Sequence, residues 1–198
     1  MKRIHVAILC LVAIPLLQAV PAGAGQPASV SVGGDAPDFT LQTLDDKPFS
    51  LAKALEKGPV LLDFWALWCK PCLQGLPGTD ELSRVYAEKG LTVLAVNTDT
   101  PRSIAKVRSY VKSKDFSFQV LLDPNGDMMR LYRFSKIPQL FLIGSDGKIA
   151  YSKLGYSPGQ EKLIAEEVEK VLAAGSKTGA AAEAGTPLEP GGATGAKE

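Results

Sequence analysis

Hydrophobic residues along this 198-residue chain fall into segments whose spacing predicts alternating strands and helices. Val60 to Ala66 is almost continuously apolar, which is typical of a central strand buried on both faces. Cys72 to Lys89 has apolar residues at helical spacing and ends at Gly90, and Leu91 to Asn97 predicts a second buried strand. A helix that joins two such strands forms a βαβ unit, so we expect these two strands to be parallel.

Shorter elements are predicted on both sides of this unit. Phe39–Leu44 and Phe49–Leu51 alternate around a turn and predict an N-terminal hairpin, and Asp99-Thr100-Pro101 is predicted to cap a helix that follows the second strand. The other predicted elements are a helix over Lys53–Lys57, a strand over Phe118–Leu122, a hairpin formed by Gln139–Ile143 and Lys148–Lys153, and a closing helix over Glu161–Ala173.

The two ends of the chain differ in composition from its middle. Met1-Lys2-Arg3, an apolar run from Val6 to Val20 and Ala22-Gly23-Ala24 form the pattern of a cleaved secretory signal peptide. The alternative is an uncleaved membrane anchor, but the run is shorter than the roughly 20 residues that span a bilayer. We therefore predict a periplasmic or otherwise exported protein. Its predicted parts are a signal peptide (1–24), a spacer (25–34), one domain (35–174) and a disordered tail (175–198).

Cysteine usage limits the chemistry that this chain can perform. Cleavage after residue 24 removes Cys10 and the only histidine, His5, and leaves Cys69 and Cys72. Joining two cysteines so close in sequence closes a very short loop and contributes little stability, so the pair is predicted to be reactive. The net charge of +1, with both signs interspersed, favours neither a nucleic-acid partner nor an anionic membrane surface.

The predicted junction between strand and helix places Cys69 near the helix N-terminus and Cys72 in the first turn. Free backbone N–H groups and the helix dipole stabilise a thiolate there, and the thiolate is the nucleophile in disulfide exchange. We predict that Cys69 is the more exposed nucleophile and that Cys72 is the inward-facing resolving thiol. Asp63, the acid in an apolar strand, would have a raised pKa that suits a proton acceptor for Cys72.

The sequence Trp-Ala-Leu-Trp-Cys-Lys-Pro-Cys at 65–72 resembles the active site of the thioredoxin fold. The longer context resembles the TlpA/ResA/CcmG-like group of exported thiol–disulfide oxidoreductases, through Gly33–Phe39, Ile137-Pro138 and Phe141–Ile149. The resemblance implies an α/β, thioredoxin-like fold in which a central mixed sheet is flanked by helices and extended by an N-terminal β-hairpin. It also implies that the chain acts on protein disulfides, more as a reductant than as an oxidant.

The same resemblance implies roles for further residues. Ile137-Pro138 would contain a cis peptide bond and offer backbone groups to an extended substrate, and Trp68, Lys70 and Pro71 would line the substrate site. We expect a monomer that uses the Cys69–Cys72 pair without any cofactor or metal. Its partners would be protein disulfides or dithiols and a membrane-bound thiol electron donor.

The chain departs from this group at one position, and two other functions stay open. Members of the group commonly have a glutamate where this chain has Gly75, so the carboxylate would have moved from the helix to Asp63 on the strand. One alternative is a thiol peroxidase, although that chemistry needs Thr or Ser where Ala66 stands. The other is a carrier of Cu(I) or another soft metal bound by the two thiolates.

Overall fold

The computed structural model describes residues 30–183, with side chains through residue 175. The strands are β1 (Thr40–Thr43), β2 (Pro48–Ser50), β3 (Val60–Trp65), β4 (Thr92–Asn97), β5 (Gln119–Leu122), β6 (Gln139–Ile143) and β7 (Ile149–Leu154). The helices are α1 (Leu51–Leu55), α2 (Lys70–Tyr86), α3 (Ile104–Lys114), α4 (Asp127–Leu131) and α5 (Gln160–Glu183), with 3-10 turns at Ala87–Lys89 and Pro101–Ser103.

All seven strands belong to one mixed sheet, in the order β2-β1-β5-β4-β3-β6-β7. The central strand β3 pairs in parallel with β4 and antiparallel with β6, and β4 pairs in parallel with β5. The N-terminal hairpin of β1 and β2 joins the sheet through β5. The predicted βαβ unit, both hairpins and the mixed sheet are therefore confirmed.

The two faces of the sheet are covered by different helices. Leu61 and Trp65 of β3 lie in a core cluster with residues of α2, α3 and α5. Leu62 and Phe64, which alternate with them, lie in a second cluster with residues of α1 and α4. Successive side chains of a strand point to opposite faces, so Asp63 lies on the same face as Leu61 and Trp65, under α2.

The residues at the start of α2 favour the junction that the sequence predicts. Cys69 is the N-cap residue, with extended backbone angles, and Pro71 occupies the first turn, where a missing N–H costs no helical hydrogen bond. Pro77 lies inside the helix. After the 3-10 turn, Gly90 adopts a positive φ of 95°, which glycine tolerates and which turns the chain into β4.

Ordered structure extends into the predicted spacer and past the predicted end of the closing helix. Gly33 N–H donates to the Ile149 carbonyl at 2.8 Å, and Val30 packs against the core, so the last residues of the predicted spacer contact the domain. Helix α5 continues past the predicted end at Ala173 to Glu183. The predicted signal peptide, 1–24, and the residues after 183 lie outside the described part of the chain. No helix within residues 30–183 is long and apolar enough to cross a bilayer.

Candidate active site

The two cysteines form a disulfide at the N-terminus of α2. The backbone N–H of Cys72 donates to the Cys69 sulfur at 3.3 Å, so a first-turn amide points at the predicted nucleophile. In the reduced protein, this N–H and the positive end of the helix dipole would stabilise a Cys69 thiolate. The Cys72 sulfur lies 4.0 Å from the carbonyl oxygen of Phe64 in β3, which places it toward the sheet.

The side chains next to the disulfide are exposed, whereas the two cysteines are buried. Trp68 is 70% exposed, and Lys70 and Pro71 are also exposed. Cys69 is only 5% exposed, which is less than the sequence suggested, and Cys72 is 2% exposed. A substrate would therefore meet Trp68, Lys70 and Pro71 first. Trp65 is fully buried, as expected for a core residue.

Asp63 is the buried acid beneath α2. Its neighbours in register on the adjacent strands are Ala95 and Leu140, so neither strand offers it a charged partner. The Thr79 hydroxyl donates to the Asp63 carboxylate at 2.7 Å. Burial raises the pKa of Asp63 to about 6, and the hydrogen bond from Thr79 acts in the opposite direction.

The sequence analysis missed Thr79, although a signal for it exists. Thr79 follows Cys72 by seven residues, which is two helical turns, so the two residues lie on the same face of α2. Both are buried, at 5% and 2% exposure. A polar residue on the buried face of a helix is a candidate partner for a buried acid on the strand that the helix covers.

The peptide bond between Ile137 and Pro138 is cis. It directly precedes β6, whose first residue, Gln139, is opposite Phe64 near the end of β3. The cis-proline loop and the start of α2 therefore lie at the same end of the sheet. Ile137 is half-buried and packs against the core cluster that contains both cysteines.

Asp99 has a different role from the predicted helix cap. The 3-10 turn after it begins at Pro101 without a side-chain cap. The Asp99 carboxylate instead accepts from the backbone N–H of Leu67 at 2.7 Å and from the Asn97 side-chain amide at 2.8 Å. Asp99 is 2% exposed. Its hydrogen bond with Leu67 connects the loop before Cys69 to the end of β4.

Gly75 also acquires a structural explanation. A Cβ atom at this position would lie 3.2 Å from Cδ2 of Tyr156, whose ring covers this part of α2. Any side chain here would require the Tyr156 ring, which belongs to the loop after β7, to shift by a few tenths of an ångström.

The described residues contain no cluster of three or more His, Cys, Asp or Glu side chains that could hold a metal ion. Cys69 and Cys72 are bonded to each other as a disulfide. Of the predicted site residues, Trp68, Lys70 and Pro71 adjoin the cysteines in sequence, Asp63 lies beneath α2, and Ile137 packs against the cluster that contains both cysteines.

Comparisons with known proteins agree with this site. The model of the AhpC/TSA family matches residues 32–152, more than half of the chain. The thiol-disulfide oxidoreductase ResA of Bacillus thuringiensis subsp. konkukian is 36% identical over 120 residues, which cover 61% of this chain and 68% of that protein. The thioredoxin-like protein YneN of Bacillus subtilis is 39% identical over 121 residues, 61% of this chain and 69% of that protein.

Solved structures show the same fold. A protein of Chlorobium tepidum, provisionally assigned as thiol:disulfide interchange protein DsbE, superposes with a TM-score of 0.64 at 31% identity, over 70% of this chain and 95% of that one. The exposed lipoprotein thioredoxin Etrx1 of Streptococcus pneumoniae gives a TM-score of 0.58 at 27% identity, over 68% of this chain and 99% of that one. The predicted thioredoxin-like fold is confirmed.

Proposed function

Because this chain belongs to the thioredoxin-like AhpC/TSA family and is a thiol–disulfide oxidoreductase like its relatives, we propose that it reduces disulfides of exported proteins. The observation that supports this most directly is the Cys69–Cys72 disulfide at the start of α2, with a backbone N–H aimed at the Cys69 sulfur. Such a pair can alternate between dithiol and disulfide without any cofactor.

The proposed reaction starts from the dithiol. The Cys69 thiolate attacks a substrate disulfide, which forms a mixed disulfide and releases one substrate thiolate. Cys72 then loses its proton to Asp63 and attacks the Cys69 sulfur. This second step releases the other substrate thiolate and leaves the Cys69–Cys72 disulfide. Two electrons pass from the enzyme to the substrate.

The surrounding residues have proposed roles in binding and positioning. Exposed Trp68, Lys70 and Pro71 form the rim that a substrate contacts, and the backbone beside the cis bond of Ile137-Pro138 would align an extended substrate segment. A membrane-bound thiol donor would return the oxidised pair to the dithiol. The predicted signal sequence supports an exported location, where such a donor would be needed.

Insulin reduction by dithiothreitol, followed by turbidity, tests the proposal. We expect the wild type to accelerate the reaction and Cys69→Ser to be inactive. Pre-reduced Cys72→Ser, freed of dithiothreitol and mixed with oxidised insulin, should accumulate mixed disulfides that are visible on non-reducing gels. Trapping by Cys69→Ser and not by Cys72→Ser would reverse the assignment of nucleophile and resolving thiol. A wild type without any acceleration would contradict the proposed activity.

The reduction potential of the pair determines the direction of electron flow. A value near thioredoxin's roughly −270 mV is expected for a reductant, whereas a value near DsbA's roughly −120 mV would indicate an oxidant. Consumption of hydrogen peroxide in the same preparation would instead favour the peroxidase alternative. Ala66, fully buried before the cysteines, cannot supply the hydroxyl that this alternative requires.

A further inference from the structure

A surface cavity of about 570 Å3 opens beside the cis-proline loop. Its wall is formed by the end of α4, the loop that follows it, and the adjoining ends of β6 and β7. The lining residues used below are Met129, Arg130, Arg133, Lys136, Gln139 and Leu154. None of the reaction steps above involves this cavity.

The charged side chains that line the cavity are all positive. Arg130, Arg133 and Lys136 line it, and no carboxylate does. Arg130 forms a salt bridge with Asp127, so its charge is largely balanced. Arg133 and Lys136 are exposed, and neither forms a salt bridge within the described part of the chain. Two cations are therefore available to a partner.

Arg133 also occupies an unfavourable backbone conformation. Its φ of 54° lies in the left-handed region, where a residue with a Cβ atom is less stable than glycine by about 1 kcal/mol or more. A glycine would satisfy the turn after α4 better. At this position the backbone conformation favours glycine over arginine. Strained residues of this kind are often found where the side chain serves a function.

The position of the cavity relates it to the redox pair. Lys136 directly precedes Ile137 and the cis bond, and Gln139 is opposite Phe64, near the end of β3 from which the cysteine loop starts. The cavity lies on the face of the sheet that α4 covers, whereas the cysteines lie on the face that α2 covers, and the cis-proline loop lies at the end of the sheet beside both. A substrate chain that is aligned along this loop and extends toward α4 would bring a residue flanking its disulfide to the cavity.

We propose that Arg133, Lys136 and this cavity bind an acidic side chain of the substrate polypeptide, close to the disulfide that is reduced. The aliphatic surfaces of Met129 and Leu154, which is 58% exposed, would contact the methylene groups of a glutamate or a neighbouring apolar residue. This proposal rests on the proposed reductase function and names the class of substrate: acidic protein segments that contain a disulfide.

The test uses three synthetic peptides that share one disulfide and differ only in flanking glutamate, glutamine or lysine residues. For the wild type at low ionic strength, we expect kcat/KM for the glutamate peptide to exceed that for the lysine peptide roughly tenfold, mainly through KM. The preference should fall at about 0.5 M salt, because exposed charges are screened. The ratio of the two kcat/KM values is the readout.

Variants assign the preference to the cavity. Arg133→Gln/Lys136→Gln should bring the ratio close to one, and Arg133→Glu/Lys136→Glu should invert it. Lys53→Gln/Lys57→Gln is the matched control, because it removes the same charge from exposed positions before the start of β3, at the opposite end of that strand, and should keep the wild-type ratio. Arg133→Gly should weaken the preference while the melting temperature stays the same or rises.

Failure of this proposal can be distinguished from failure of the reductase function. Hydroxyethyl disulfide is small and uncharged, so its reduction measures exchange without docking. If the wild type reduces it but shows equal kcat/KM for the glutamate and lysine peptides, the docking proposal is wrong and the reductase function stands. A preference that survives in Arg133→Gln/Lys136→Gln also overturns the proposal. If the wild type reduces none of these disulfides, the reductase function itself fails.

Discussion

Replacing Asp63 with asparagine removes the only ionisable side chain of β3. Burial raises the pKa of this carboxyl to about 6 in the folded protein, against 3.8 as its ordinary value. Each pKa unit corresponds to about 1.4 kcal/mol, so ionised Asp63 lowers the free energy of unfolding by about 3 kcal/mol.

The sign of the pH dependence follows from proton binding. Below about pH 4, Asp63 is protonated in both the folded and the unfolded chain, and its ionisation costs nothing. Between about pH 4 and pH 6, the folded protein keeps a proton that the unfolded chain releases, so the stability falls as the pH rises. Above the folded pKa the loss is complete.

Asp63→Asn should therefore lack this decline. At pH 7.5 the variant should be more stable than the wild type by up to about 3 kcal/mol, less any cost of burying the amide, which corresponds to a rise in Tm of roughly 6–12 °C. Near pH 4 the two proteins should differ little. The measurement is urea unfolding of the oxidised protein between pH 4 and pH 8, followed by tryptophan fluorescence. Asp45→Asn, at an exposed carboxylate in the β1–β2 turn, is the matched control and should track the wild type.

The same variant tests the catalytic role. If Asp63 accepts the proton of Cys72, resolution of a preformed mixed disulfide should be slower in Asp63→Asn, while the first attack by Cys69 is unchanged. Single-turnover kinetics between about pH 5 and pH 9 separate the two steps. Equal resolution rates in the two proteins would make Asp63 a structural acid. Stability differences that do not depend on pH would refute the titration itself.

Three further variants probe the contacts around the site. Thr79→Val removes the hydrogen bond that lowers the pKa of the buried carboxyl, so the pH-dependent loss of stability in urea unfolding should begin near the same pH, extend to higher pH and become larger. Asp99→Ala should lower the free energy of unfolding by roughly 1–3 kcal/mol and slow insulin reduction, because the partly buried N–H of Leu67 loses its acceptor. An unchanged Tm would contradict this. Gly75→Glu should be destabilising alone in thermal unfolding and tolerated together with Tyr156→Ala, and equal costs in both backgrounds would show that the ring does not limit this position.

Local sequence patterns predicted the elements around the cysteines because those elements depend on nearby residues. The continuous apolar run gave β3, and a Cys-x-Pro-Cys segment after it gave the start of α2, since proline in the first turn and apolar residues at helical spacing favour a helix there. The cis bond at Ile137-Pro138 was predicted only through a family resemblance, because local sequence does not determine it.

Contacts between distant segments explain the predictions that were wrong or missing. Asp99 next to Thr100-Pro101 has the local chemistry of a helix cap, but its carboxylate binds the N–H of Leu67, which is 32 residues away. Tertiary structure thus overrode a local signal. The partnership of Asp63 and Thr79 across 16 residues likewise needed the packing of α2 on β3 to be known.

The location of the buried acid is determined jointly by the strand and the helix. On β3, only alternate residues face α2, so the positions open to an acid on that face are those of Leu61, Asp63 and Trp65. Moving the acid to either neighbouring position would displace it by about 6.6 Å along the strand, away from Thr79. On α2, a side chain at position 75 would meet the Tyr156 ring. Of the β3 positions that face α2, position 63 is therefore the one that brings an acid to the Thr79 hydroxyl, although the ionised form costs stability at neutral pH.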